Sequence, residues 1–158
     1  MGSLKNLFAP ERVAVVGATD REGSVGQAVT QNLVADFEGE VIPVNPDKDE
    51  LLGLKCYESL TAAPKADVAV VVVPPGITAD VVQEAGENGI KNVVVITAGF
   101  SEAGSEGAER ERKLVELSEE YDLNLVGPNC IGVMNTSIGL NATFAPENAD
   151  PGSVSFMS

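Results

Sequence analysis

Between Val13 and Val29 the chain runs Val13-Ala14-Val15-Val16, then Gly17-Ala18-Thr19-Asp20-Arg21-Glu22-Gly23-Ser24-Val25-Gly26, then an apolar-periodic stretch. A buried strand that ends in a glycine-rich loop and reopens as a helix is how α/β proteins hold a phosphate. Glycines let the main chain approach the anion, and the first N–H groups of the helix point at it. Gly17, Gly23 and Ser24 are therefore the first candidates for ligand contacts. The second apolar run ends in Asn45-Pro46-Asp47-Lys48, where Lys48 is a point charge suited to another phosphate. The dinucleotide fingerprint G-x-G-x-x-G asks for a tighter loop, and for an acid after the second strand to hold a ribose diol. Here Gly23 is the next glycine after Gly17, and Asn45-Pro46 stand where that acid belongs. Asp47 and Asp49 keep an NAD(P) ligand open as the alternative, but a ligand with several phosphates fits the pattern better.

Several kinds of chemistry are excluded. The chain has no histidine, which removes Ser-His-Asp and Cys-His catalysis, histidine metal ligation and any phosphohistidine from it. Its two cysteines, Cys56 and Cys130, form no C-x-x-C and read as reduced structural thiols. Twenty-four acids against 10 bases give a net charge of −14, the opposite of what a nucleic-acid partner demands. Aromatic residues at 4% leave no base-stacking platform. No apolar run is long enough to cross a bilayer and no basic segment precedes an apolar one, so a cytoplasmic location without a membrane partner is expected. So acidic a surface, poor in lysine, also matches halophilic proteins, whose self-repulsion is screened by salt.

The elements that must position these residues follow from periodicity. Val13–Val16, Val41–Val44, Val68–Val73, Val93–Thr97 and Leu123–Val126 are short, continuous, mostly valine-rich runs. Continuous runs mean strands buried on both faces, as in a parallel sheet covered by helices. Between them, helical stripes are expected over Val25–Asp36 (Val25, Ala28, Val29, Leu33), Thr78–Asn88 (Val81, Val82, Ala85) and Ser105–Tyr121 (Leu114, Leu117, Tyr121), with Ser105 placed to cap the last. A minor strand is expected within Gly53–Tyr57, a short helix at Glu58–Ala62, and a loop that gives way to a short strand from Gly127 through Asn135. The alternation predicts a doubly wound, Rossmann-like α/β fold with a parallel sheet. Ligands of such sheets sit beyond the carboxyl ends of the strands. There the chain has Gly17–Gly26, Asn45–Lys48, Pro74-Pro75-Gly76, Thr97-Ala98-Gly99-Phe100 and Gly127-Pro128-Asn129-Cys130. Residues 1–145 read as one domain. Residues 146–158 read as a linker and the first strand, Ser153–Ser158, of a truncated following domain.

The stretches Val15–Asp20, Gly23–Gly26, Val44-Asn45-Pro46, Gly53–Tyr57, Val73-Pro74-Pro75, Ile96–Phe100 and Gly127–Gly132 also carry a likeness in their order and spacing. The chain resembles the N-terminal CoA-binding domain of the ADP-forming acetyl-CoA synthetases and, more distantly, that of the succinyl-CoA synthetase alpha subunit. The resemblance implies coenzyme A or acyl-CoA as ligand, with Thr19, Gly23, Ser24 and Val25 along its phosphates and Lys48 as the lysine that meets CoA. Pro74 and Pro75 would flank the pantetheine. Ile96, Thr97 and Ala98 would form a second contact segment, although the succinyl-CoA enzymes carry an acid where Ala98 stands. Asn129 and Cys130 would lie near the thiol end, Cys130 as a small packed residue, since no base is at hand to activate it. The family interconverts acyl-CoA, ADP and phosphate with free acid, CoA and ATP through a phosphohistidine. The histidine-bearing ligase domain and the ATP-grasp domain or subunit are the partners this implies, and the chain alone is expected not to be catalytically competent. A regulatory domain of a protein acetyltransferase and a stand-alone CoA-binding protein are the alternatives.

Overall fold

A computed structural model describes residues 4–153. In chain order the elements are α1 (Leu4–Phe8), β1 (Arg12–Val16), α2 (Val25–Asp36), β2 (Glu40–Val44), β3 (Glu50–Leu51), β4 (Leu54–Lys55), β5 (Val68–Val71), α3 (Pro75–Glu87), β6 (Asn92–Val95), α4 (Ser105–Glu120), β7 (Asn124–Val126), β8 (Gly132–Asn135) and β9 (Leu140–Thr143). The strands β2-β1-β5-β6-β7 form a five-stranded sheet in that order, parallel throughout. From β1 the chain steps outward to β2, then returns past β1 to β5. The order therefore reverses between β1 and β5, which is where doubly wound sheets bind ligands.

Both faces of the sheet are buried, which is why its strands read as unbroken apolar runs. Ala14, Val16, Ala69, Val71, Val93 and Val95 pack with Val82 and Ala85 of α3, Leu114 and Leu117 of α4, and Phe100. The residues between them, Val13, Val15, Val68, Val70 and Val94, pack with Val29 and Leu33 of α2. That second face is completed by Leu7 of α1 and by Val133, Leu140 and Ala142 of the β8–β9 hairpin, so a two-stranded ribbon covers sheet where a further helix would lie in a regular alternation.

Several local expectations change. The helix expected from Thr78 begins at Pro75, because proline's fixed φ suits the first helical position and its missing N–H costs nothing there. The short helix expected at Glu58–Ala62 is a turn instead. Ser59 Oγ accepts the N–H of Ala62 (3.1 Å), a local bond that competes with a helix. Ser105 does not cap α4: it is the first helical residue, behind Gly104 at φ +100°, and no side chain caps that end. β5 and β6 stop at Val71 and Val95, short of Val73 and Thr97, since only one more ladder bond forms on each (Val72 N–H to Val16 O, Ile96 N–H to Val71 O) before the chain turns into the loops. Within Gly53–Tyr57 the expected strand is half of a small hairpin, β3–β4, after which Tyr57 bridges to Val44 at the outer edge of β2. The short strand expected within Gly127–Asn135 is β8, paired with β9. The strand expected over Ser153–Ser158 falls, Ser153 apart, outside the described residues.

Candidate functional site

The loop after β1 is pressed between neighbours that tolerate no side chain. Gly17 has φ +94°, and a Cβ on it would lie 2.9 Å from the carbonyl oxygen of Val72. A Cβ on Gly26 would lie 2.3 Å from the carbonyl oxygen of Gly17. The first turn of α2 thus rests directly on the end of β1, an approach only glycine permits. Ser24 caps the helix, accepting the N–H of Gln27 (3.2 Å) while its hydroxyl donates to Arg21 O (2.7 Å). Gln27 Oε1 reaches back to accept the N–H of Gly23 (2.9 Å), so serine and glutamine hold the turn reciprocally, as in a capping box. The helix's own bonds begin with Ala28 N–H to Ser24 O. The N–H groups of Val25 and Gly26 precede them and point out of the helix end, where the macrodipole favours an anion.

Periodicity puts Val25 on the apolar stripe of this helix, but in the structure it is 42% exposed, whereas Val29 and Leu33 are buried. At the first turn its side chain lies on the rim, not in the core. Thr19 Oγ1 accepts the N–H of Arg21 (3.2 Å) within the loop.

The loop after β2 is locked to the loop after β1. Asn45 Nδ2 donates to Ala18 O (2.8 Å), its Oδ1 accepts the N–H of Asp47 (2.9 Å), and Gly17 N–H donates to Val44 O (3.0 Å). Asn45 stands where a ribose-binding acid would, and here its amide clamps two loops. Lys48 is part-buried, with its Nζ 2.8 Å from Asp20 Oδ1. That bond holds the Asp20 carboxyl below its ordinary pKa.

The loops after β5, β6 and β7 are stitched to one another. Pro74 precedes α3 and Pro75 begins it. Thr97 Oγ1 donates to Val73 O (2.7 Å), and Thr97 O accepts the N–H of Asn129 (2.9 Å). Asn129 is exposed at φ +54°, just beyond the cis Gly127–Pro128 bond. Ala98 is exposed at the rim. Ile96 contributes only main chain there, because its side chain is buried on the α2 face of the sheet. Cys130 Sγ donates to Val95 O (3.3 Å), and burial raises its pKa. Burial raises that of Cys56 too. Both thiols favour the protonated form, as packed residues do and nucleophiles do not. Glu102 accepts the N–H groups of Gly99 (2.6 Å) and Phe100 (3.2 Å), which hold its carboxyl below the usual range.

All the expected site residues therefore lie on the edge of the sheet beyond the carboxyl ends of its strands, in two groups. Gly17, Thr19, Gly23, Ser24, Val25 and Lys48 form one, joined by Asn45. Pro74, Pro75, Ile96, Thr97, Ala98, Asn129 and Cys130 form the other, and Gly17 abuts Val72 between the two. A groove of about 330 Å³ opens from the second group at Pro75 and Gly76 toward Arg110 and Lys113 on α4. Two contributors escaped the sequence reading. Asn45 was visible only as the absence of an acid, although an Asn-Pro-Asp turn after a strand signals a side chain that bonds its own backbone. Asp20 was visible only as a charge complementary to Lys48. Among the described residues no group of His, Cys, Asp and Glu side chains could hold a metal, and no helix is long and apolar enough to cross a membrane.

A doubly wound parallel sheet with a glycine-lined helix N-terminus at its reversal point defines a Rossmann-like α/β domain built to hold an extended, anionic ligand. Residues 11–136 match the model of the CoA binding domain family, and the chain belongs to that family, whose ligand is coenzyme A. It is 46% identical over 156 residues to the ADP-forming acetate–CoA ligase of Methanocaldococcus jannaschii, a match that covers 98% of this chain and 22% of that one. It is equally identical, at 46% over 156 residues, to the ADP-forming acetate–CoA ligase I of Archaeoglobus fulgidus, covering 98% of this chain and 23% of that one. Among solved structures it is similar to a dinucleotide-forming acetyl-coenzyme A synthetase 1 of Candidatus Korarchaeum cryptofilum in complex with phosphate and ADP. The TM-score is 0.87 at 41% identity, covering 92% of this chain and 32% of that one. The chain thus spans less than a quarter of the length of these two curated ligases. It resembles the CoA-binding part of ADP-forming acid–CoA ligases, and neither the NAD(P) nor the acetyltransferase reading is favoured.

Proposed function

We propose that this chain holds CoA or acyl-CoA for an ADP-forming acid–CoA ligase that interconverts acyl-CoA, ADP and phosphate with free acid, CoA and ATP. The observation that carries this is the Asn45 clamp. It ties the loop after β2, which carries Lys48, to the loop after β1, and it puts an amide at the end of β2 where a ribose-binding acid would stand.

In this reading the N–H groups of Val25 and Gly26 take phosphate oxygens, and Gly17 and Gly23 give the backbone room to approach. Thr19 and Ser24 line the same phosphates, and Lys48 neutralises one of them. Pro74, Pro75, the Ile96–Ala98 backbone and Asn129 border the uncharged pantetheine, with Cys130 packed behind its thiol end. Phosphoryl transfer through a histidine falls to a ligase domain and an ATP-grasp domain or subunit, because this chain has no histidine. That the curated relatives are several times longer supports such partners. Residues 1–145 are the CoA-binding unit in this scheme, and 146–158 lead out of it. We assign the protein to the cytoplasm, with neither nucleic acid nor membrane as partner, in keeping with its acidity.

Calorimetric titration with CoA, NAD and NADP tests the assignment. CoA is expected to bind at least tenfold tighter than either dinucleotide, and Lys48→Glu to weaken CoA by tenfold or more. Tighter binding of NAD would reject the reading. The acidic surface further supports a halophilic protein, whose melting temperature rises from low to multimolar KCl; equal melts in both would remove that proposal.

A further inference from the structure

The ion pair between Lys48 Nζ and Asp20 Oδ1, at 2.8 Å, joins the loop after β2 to the loop after β1 beside the first turn of α2. The Lys48 side chain is 29% exposed and that of Asp20 64%, so the carboxylate is the outer and freer partner. The two loops carry Asp20, Glu22, Asp47 and Asp49 against only Arg21 and Lys48. An incoming phosphate therefore meets like charge, and the lysine suited to receive it already holds a carboxylate.

We propose that Asp20 is a specificity-determining residue of the phosphate site: its carboxylate holds Lys48, and a ligand must displace it with a group of greater negative charge. The proposal rests on the reading that Lys48 meets a phosphate of CoA. An exposed ion pair contributes little, so a phosphate dianion that also gains the helix N–H groups displaces it. A sugar hydroxyl has no charge with which to compete, so the latch discriminates against ligands that present only a diol at Lys48. The cost is borne by every ligand, CoA included. Removing the Asp20 charge while keeping its shape must therefore tighten CoA binding, whereas a carboxylate that merely orients Lys48 would, once removed, loosen it. The effect must also act through Lys48.

The test is calorimetry of CoA binding to the 158-residue chain and its variants at one fixed, moderate salt concentration, with thermal melts to verify folding. D20N is expected to bind CoA three- to tenfold tighter than the wild type, and D20E within twofold of it. K48M is expected to bind more weakly, and D20N added to K48M to gain less than twofold. A D20N variant that binds CoA more weakly than the wild type, or equally well, while K48M remains impaired overturns the latch alone. K48M binding as tightly as the wild type means that Lys48 meets no phosphate; the underlying reading of the lysine then fails, and the latch with it.

Discussion

The loop after β1 and the loops after β6 and β7 stand on one edge of one sheet, yet they are held by different chemistry. Around β1 the fastening is polar and partly ionic: a serine cap, a glutamine reaching back to Gly23, an amide clamp from Asn45 and the Lys48–Asp20 pair. Around β6 and β7 the bonds that tie one loop to the next are neutral, with the Thr97 hydroxyl on Val73 O, Asn129 N–H on Thr97 O and the Cys130 thiol on Val95 O, while the charged Glu102 and Arg110 bond the main chain of the loop after β6. The first arrangement leaves a positive helix end and, near it, a part-buried lysine held by an exposed carboxylate. The second uses its polar groups internally, the Glu102 carboxylate included, and has no charged side chain among its candidate residues. A ligand with phosphates at one end and an amide chain at the other matches this gradient, and a symmetric dinucleotide does not.

The largest effect on the comparison should come from the glycine contact that sets the charged end. In Gly26→Ala the new methyl would sit 2.3 Å from a backbone oxygen, which cannot swing aside as a side chain can. Overpacking of this kind costs about 1–3 kcal/mol, offset in part by the better helix propensity of alanine. A net loss of about 2 kcal/mol, or roughly 4–8 °C in melting temperature, is expected for a domain of this size. CoA affinity should fall with it. At Gly23, by contrast, an added Cβ meets no atom within 4 Å, so any cost of Gly23→Ala comes from its φ of +73° alone. If Gly26→Ala melts no lower than Gly23→Ala, close packing does not fix this loop.

A smaller effect tests the neutral end. Thr97→Val keeps the shape but removes the hydroxyl that donates to Val73 O at 2.7 Å. The loss of one such bond costs about 1 kcal/mol, to be read from the midpoint of urea unfolding. A valine variant as stable as the wild type would mean that this hydroxyl is free to serve the ligand and does not bind the loops together.

What could be read from the sequence divides along the same line. The five parallel strands and the three long helices were legible because continuous valine runs and apolar stripes report burial directly. The charged loop was legible because glycine spacing and a lone lysine between acids have few explanations. The neutral end was harder. Pro74, Thr97 and Asn129 are ordinary turn residues, and only the fold brings their loops within bonding distance. Ile96 illustrates the limit: it lies at the carboxyl end of β6 beside the other candidates, yet its side chain serves the core. The β8–β9 hairpin was missed as a layer for a related reason. Two short strands separated by Thr136-Ser137-Ile138-Gly139 carry little periodicity, and their role depends on the uncovered sheet that they meet.

The smallest effect concerns Cys130, the one residue at the neutral end whose type invites a nucleophilic role. Burial raises its pKa, and its thiol donates to Val95 O. A thiol with a raised folded pKa contributes stability that is complete below the unfolded value of about 8.5 and is lost as the pH climbs through the folded value. The same shift keeps the thiolate scarce at neutral pH, where a nucleophile would need it. Alkylation by iodoacetamide, followed by mass spectrometry at each cysteine, should therefore be slower at Cys130 than in a free peptide thiol at pH 7.5. It should accelerate only at a higher pH than the peptide thiol does. Faster modification than the peptide at pH 7.5 would show an activated thiol, and the neutral end would then hold chemistry of its own besides a surface for an uncharged chain.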